Sequence, residues 1–275
     1  MNAGRRILVA TDLDGTLVPN DTVVLPPYTA SVLRRLDDSG VPVVFVTGRP
    51  LRWMTGFWPH VGSHGLAVVS NGAMTFDAHA GAIIALAGIE PAAGVAICAA
   101  IEAELPGAWF AIECADGIRF APDYVEPYPS PGAPRGTLAE IWTDPALKLL
   151  VRHPDVPPEE LHDRVEAIVG DRATVTWSVS GLVEISSAGT TKASALQHLC
   201  GRLGIDAADV IAFGDMPNDI PLLAWAGTSY AVANAHDSVI RAADHIAPPC
   251  AEEGVAQVLD RLADELAAAH GTAGP

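Results

Sequence analysis

Three short apolar runs near the start of the chain each stop at a polar turn. Ile7-Leu8-Val9-Ala10 leads into Thr11-Asp12, and Val41-Pro42-Val43-Val44-Phe45-Val46 leads into Thr47-Gly48-Arg49. Leu66-Ala67-Val68-Val69 leads into Ser70-Asn71-Gly72. Between the first two runs, Val32, Leu33 and Leu36 recur at helical spacing across Tyr28 to Asp38. Strands that are apolar throughout, rather than alternating, with helices between them, belong to a parallel sheet covered on both faces. The expected class is therefore α/β with a Rossmann-like parallel core.

The same grammar resumes near residue 190. Lys192 to Leu203 reads as a helix and Val210-Ile211-Ala212-Phe213 as a strand. Pro217 suits the first turn of a further helix. Tyr230-Ala231-Val232 and His245-Ile246-Ala247 read as short late strands, and Glu252 to Ala269 as an amphipathic helix, with Gly271 to Pro275 fraying. The middle differs. Runs at 109–112, 117–120, 147–151, 174–177 and 182–185 read as strands, several of them alternating as an antiparallel sheet with one wet face would. Helical stretches at 91–105 and 157–169 and a proline-rich loop at 124–134 lie among them. The expected organisation is a discontinuous core of residues 1–76 and 189–275, with an α+β insertion of residues 77–188.

The 275 residues are 49% hydrophobic, enough to bury a core of that size. A net charge of −17 argues against nucleic acid or an anionic membrane as partner. It also means that an anionic ligand needs local cations. Cys98, Cys114, Cys200 and Cys250 are far apart and read as reduced thiols in a cytoplasmic protein. The first apolar run is too short for a signal peptide, and no stretch is long enough to span a bilayer. Asn20-Asp21-Thr22 matches a glycosylation sequon, read as accidental. The histidines form no metal-binding pattern. Trp53, Phe57 and Trp58 read as core or interface residues on a helix.

Asp12 and Asp14 stand two positions apart where a buried strand ends. An unpaired buried charge is costly, so something must compensate, and a divalent cation is the simplest candidate. Strand 210–213 repeats the theme in Gly214-Asp215-Met216-Pro217-Asn218-Asp219. Ligands of parallel α/β sheets bind beyond the carboxyl ends of strands, so Asp12, Asp14, Thr47, Asp215 and Asp219 can converge. Carboxylate oxygens without nearby His or Cys favour Mg²⁺ over Zn²⁺. Lys148 and Lys192 are the chain's only lysines. Lys192 begins the helix that precedes strand 210–213, where it can hold a phosphate and balance a carboxylate.

In Asp12-Leu13-Asp14-Gly15-Thr16-Leu17, Val46-Thr47-Gly48-Arg49, Ser70-Asn71-Gly72-Ala73, Lys192, Gly214-Asp215-Met216-Pro217-Asn218-Asp219 and Ala233-Asn234-Ala235, the chain resembles the haloacid dehalogenase-like superfamily. Within it, the chain is similar to the Cof-like subfamily with a large α/β cap. The resemblance implies a Mg²⁺-dependent phosphatase acting on a small phosphorylated metabolite such as a sugar phosphate. Asp12 would be the nucleophile and Asp14 the acid and base. Mg²⁺ would be held by the Asp12 and Asp215 carboxylates and the Asp14 main-chain carbonyl, with Asp219 close by. Thr47, Gly48, Lys192 and Asn218 would bind the phosphoryl group. A phosphosugar mutase and a non-catalytic phosphometabolite-binding protein are the alternatives. Substrate choice would lie in the cap, with loop 124–134 and the strand ends near Trp142 or Ser178 as candidates. Arg49 reads equally as an organiser of the site loop or a structural ion pair.

Overall fold

A computed structural model describes residues 6–20, 22–127 and 129–271. Asp21 of the sequon, Tyr128 of the proline-rich loop and the expected frayed residues 272–275 lie outside them. The chain opens with strand β1 (Leu8–Thr11), helix α1 (Pro27–Asp38), β2 (Val43–Val46), β3 (Leu66–Val69), β4 (Met74–Asp77) and β5 (Ala82–Leu86). There follow α2 (Pro91–Glu104), β6 (Trp109–Cys114), β7 (Gly117–Phe120), α3 (Leu138–Ile141), β8 (Lys148–Arg152), α4 (Pro158–Val169), β9 (Ala173–Val179) and β10 (Leu182–Ser187). The chain then returns through α5 (Lys192–Leu203), β11 (Val210–Gly214), α6 (Ile220–Trp225), β12 (Thr228–Val232), α7 (Asp237–Ala242), β13 (His245–Ala247) and α8 (Gly254–Gly271).

Two sheets result. The first is eight-stranded, in the order β13-β12-β11-β1-β2-β3-β4-β5. Its strands from β13 to β3 pair in parallel, and β4 and β5 are antiparallel additions. β1, β2 and β3 are buried at every residue, as their unbroken apolar sequences require. Helix α1 packs on α8, and α5 packs on α6. The order reverses at β1, where the chain proceeds to β2 on one side and receives β11 on the other. The carboxyl ends of β1, β2 and β11 flank that crevice.

The second sheet is antiparallel, in the order β7-β6-β8-β10-β9. Leu149, Val151, Val183 and Ile185 point to one of its faces, into a core shared with α2 and α4. Lys148, Leu150 and Glu184 alternate with them and point the other way.

β5 and the last residue of β4 belong to the first sheet, although they follow residue 76. β5 is largely exposed and lies at the edge, so its sequence lacks the buried apolar run that marks β1 to β3. We propose a division between Leu86 and Pro91, and again between Ser187 and Lys192. Trp53, Phe57 and Trp58 do not share a helix. Two 3₁₀ turns, Leu51–Trp53 and Trp58–His60, stand there instead. Gly56 between them approaches Val23 so closely that a Cβ would lie 1.9 Å from its carbonyl oxygen. Phe57 is fully buried in the core, whereas Trp53 is exposed.

Candidate active site

Asp12 leaves β1 with its N–H donated to the Phe213 carbonyl of β11, which fixes it between the two strands. Lys192 reaches it from the first turn of α5. Thr191 caps that helix, accepting from the Ser194 N–H at 3.0 Å. Lys192 Nζ lies 2.9 Å from Asp12 Oδ1 and 2.7 Å from Asp219 Oδ1, with 1% of the lysine exposed. The other oxygen of Asp219 accepts the backbone N–H groups of Asp215 and Met216, each at 3.1 Å. Both Asp219 oxygens are thus engaged, one holding its own turn and one holding the lysine.

Asp215 accepts the Thr16 hydroxyl at 2.8 Å. Gly15 lies against it with φ +74°, and a Cβ there would come 2.3 Å from Asp215 Oδ2. Glycine is therefore required both by the backbone conformation and by the space. Asn234 holds the same turn from the other side. Its Nδ2 donates to the Gly15 carbonyl at 2.8 Å, and its Oδ1 accepts the Cys250 N–H at 2.7 Å.

Oxygens of Asp12, Asp215 and Asp219 lie within 4.8 Å of one another, and all three side chains are buried. Burial, then its acidic neighbours, raises Asp12 well above the usual carboxylate range despite Lys192. Burial and the nearby Asp219 push Asp215 up to about 7. Burial alone would lower the Lys192 ammonium, but Asp12 and Asp219 raise it instead. Three carboxylates against one ammonium leave an excess of negative charge in a dry place, the condition that a hard dication relieves. The all-oxygen donor set fits such an ion.

Asp14 is not in that cluster. Its carboxylate turns to Arg49, which grips both oxygens through Nε and a terminal nitrogen. Arg49 also donates to the Thr22 carbonyl at 2.8 Å and lies over the Phe57 ring. Of the two open readings of Arg49, the pairing joins both: it is an ion pair, and the pair is with a candidate site residue. Thr47 is fully buried, and its Oγ1 accepts the Arg49 N–H at 3.1 Å. Asn218 Nδ2 donates to Asn71 Oδ1 at 3.1 Å, and Asn218 Oδ1 has no partner among the described residues. Asn71 sits in the left-handed region at φ 57°, which an asparagine tolerates.

A cavity of about 280 Å³ opens beside Lys192 and Asn218, between the two sheets. The second sheet and α4 line it with Thr176, Trp177, His162 and Glu166. A larger hollow of about 660 Å³, lined by Cys98 and Trp109, lies within the insertion, and Asp12, Asp215 and Asp219 are not among its lining residues. Trp142 is buried in the insertion's own core, away from the cavity, and Ser178 is bonded to Glu184. Asn71, Asn234 and Thr16, which all lie in the motifs that carry the resemblance, brace the site. Lys148 could have been noticed from the scarcity of lysine alone.

The chain belongs to the haloacid dehalogenase-like hydrolases, whose family model matches residues 9–259. Within them it is a phosphatase, with a parallel-sheet core and a separate antiparallel cap. It is 32% identical over 261 residues to the phosphoglycolate phosphatase of Methanopyrus kandleri, covering 94% of this chain and 98% of that one. It is 25% identical over 260 residues to the 5-amino-6-(5-phospho-D-ribitylamino)uracil phosphatase of Bacillus subtilis, covering 92% and 94%. In fold it is similar to BT1666 of Bacteroides thetaiotaomicron, a phosphatase of the same superfamily. That match has a TM-score of 0.81 at 22% identity, covering 95% of this chain and 97% of the other. No helix among the described residues is long and apolar enough to cross a membrane.

Proposed function

We propose that the chain is a Mg²⁺-dependent phosphomonoester hydrolase of the cytoplasm that acts on a small phosphorylated metabolite, with sugar phosphates as the first class to test. The observation that carries the reading is Asp12. It is a buried carboxylate at the switch point of a parallel sheet, 2.9 Å from a buried ammonium and grouped with two further carboxylates. Lys192 balances charge on Asp12 and offers its remaining N–H to a phosphoryl oxygen. The Thr47 hydroxyl, the Gly48 main chain and Asn218 would bind its other oxygens. Asp12, Asp215 and the Asp14 carbonyl would hold the dication, and Asp219 would support them. Bound there, Mg²⁺ would offset the repulsion between carboxylate and phosphate and draw charge from the equatorial oxygens.

In the first step an Asp12 oxygen forms a bond to phosphorus as the bond to the leaving oxygen breaks, and Asp14 supplies the proton that the leaving alcohol takes up. In the second, Asp14 takes a proton from water, which attacks the phosphorus and frees Asp12. The threonine hydroxyls, Trp177 and Glu166 of the cavity suit a leaving group that bears hydroxyls. The relatives named above act on different phosphate esters, so the family does not set the substrate.

The test is phosphate release from p-nitrophenyl phosphate and a sugar-phosphate panel, with and without Mg²⁺. Turnover that needs the metal and disappears in Asp12→Asn is expected. Inactivity on every ester, or full activity of Asp12→Asn, sinks the reading. Isomerised sugar phosphate in place of free phosphate would make the chain a mutase.

A further inference from the structure

Both of the chain's lysines are buried, and the mechanism above uses only one of them. Lys148 belongs to β8 of the cap, yet its Nζ donates to the carbonyl oxygen of Gly48 in the core at 2.8 Å. Its second partner is Glu184 of β10, 2.5 Å away and equally buried. Glu184 also accepts the Ser178 hydroxyl at 2.6 Å. Burial alone would push the Glu184 carboxyl up, but Lys148 and Ser178 overturn that and hold it below the usual range. The Glu184 carboxylate keeps the Lys148 side chain aimed at the core.

What the ammonium touches decides its consequence. The Gly48 carbonyl and the Arg49 N–H are the two ends of one peptide group. That N–H donates to Thr47 Oγ1. A cation on the carbonyl polarises the peptide and strengthens the bond at its other end. The Thr47 hydroxyl has one donor hydrogen. With the Arg49 N–H on an acceptor position, the hydroxyl keeps its hydrogen to donate to an incoming anion. A Cβ at Gly48 would come 3.0 Å from Asn71 Oδ1, so the peptide runs close beside that side chain.

We infer that Lys148 is a positioning residue for phosphoryl transfer, acting from the cap through the Gly48–Arg49 peptide to orient the Thr47 hydroxyl. The inference rests on the phosphatase reading. It gives the cap a part in the chemistry that is separate from lining the substrate cavity, because Lys148 is not among the residues that line it.

The test uses the full chain with Mg²⁺, p-nitrophenyl phosphate as substrate and orthovanadate as a mimic of the transferring phosphoryl group. Lys148→Met removes the donor, and Lys148→Arg keeps one. The exchanged pair Lys148→Glu with Glu184→Lys keeps both charges but aims a carboxylate at the Gly48 carbonyl. Lys148→Met is expected to lower kcat and weaken orthovanadate inhibition about tenfold each, with KM changing less than about threefold. Lys148→Arg should recover most of the rate, and the exchanged pair should remain slow. If Lys148→Met keeps kcat within about twofold of the parent, or if the exchanged pair restores the rate, the ion pair only holds the cap together and the inference is overturned. Should Lys148→Met fail to fold by circular dichroism, Lys148→Arg and the exchanged pair decide the matter in the same terms. A parent protein inactive on every ester would bring down the phosphatase reading and this inference with it. An active parent beside an equally active Lys148→Met brings down the inference alone.

Discussion

Arg49 holds both carboxylate oxygens of Asp14 while its own backbone N–H donates to Thr47. One residue therefore ties together the proposed acid and the proposed phosphoryl-binding hydroxyl. Arg49→Lys keeps the charge but cannot form the two-point fork. We expect kcat to fall on the order of tenfold while the melting temperature moves little, since the ion pair is replaced rather than left half empty. Steady-state rates measured beside a thermal melt check this.

Lys192→Met would leave Asp12, Asp215 and Asp219 buried together without their ammonium. Breaking a buried pair on one side costs about 3–5 kcal/mol, and phosphate hydrolysis should drop by at least about 100-fold. Chemical denaturation and p-nitrophenyl phosphate turnover read the two effects separately.

In the metal-free protein Asp215 should make stability depend on pH. Its carboxyl is raised from an ordinary 3.8 to about 7 by burial and then Asp219. A carboxyl whose pKa is higher folded than unfolded contributes fully below the unfolded value. That contribution is lost as pH rises through the folded one. Mg²⁺ should therefore raise the melting temperature more at about pH 8 than at about pH 5, on the order of 5 °C at saturation. An equal shift at both values would contradict the proposed ligands.

Gly15→Ala should act on the metal rather than on the fold as a whole. Its Cβ would collide with Asp215 Oδ2, and its φ of +74° costs an alanine about 1–2 kcal/mol. We expect the Mg²⁺ concentration for half-maximal activity to rise several-fold, on the scale of that strain, as a metal titration would show.

The four cysteines are free and buried, and burial pushes Cys114, Cys200 and Cys250 up to about 11 and Cys98 further still. A thiol reagent at neutral pH should find none of them quickly in the folded protein and all of them in denaturant.

The buried parallel strands were legible because burial on both faces forces an unbroken apolar run. β5 was not, because an exposed edge strand imposes no such pattern. The acidic turns were legible for a related reason: Asp12, Asp215 and Asp219 follow apolar strands, and their convergence follows from the sheet rule. The partners of Asp14 and Gly48 were not. Arg49 stands close to Thr47 in sequence, but its side-chain direction depends on Phe57 and Thr22. Lys148 meets Gly48 across a contact 100 positions apart, which no local pattern encodes.

The pairing of β1 with β11 has a consequence for how the protein comes off the ribosome. Leu8 pairs with Val210, so one side of the central strand waits for about 200 further residues, or about 10–40 s of synthesis. The cap sheet needs only residues between Trp109 and Ser187 to pair its strands. It can close while its host is still half made. Asp12 emerges about 180 residues before Lys192 and about 200 before Asp215, the neighbours that complete its cluster. A nascent chain stalled before residue 192 would carry a finished roof over an unfinished room.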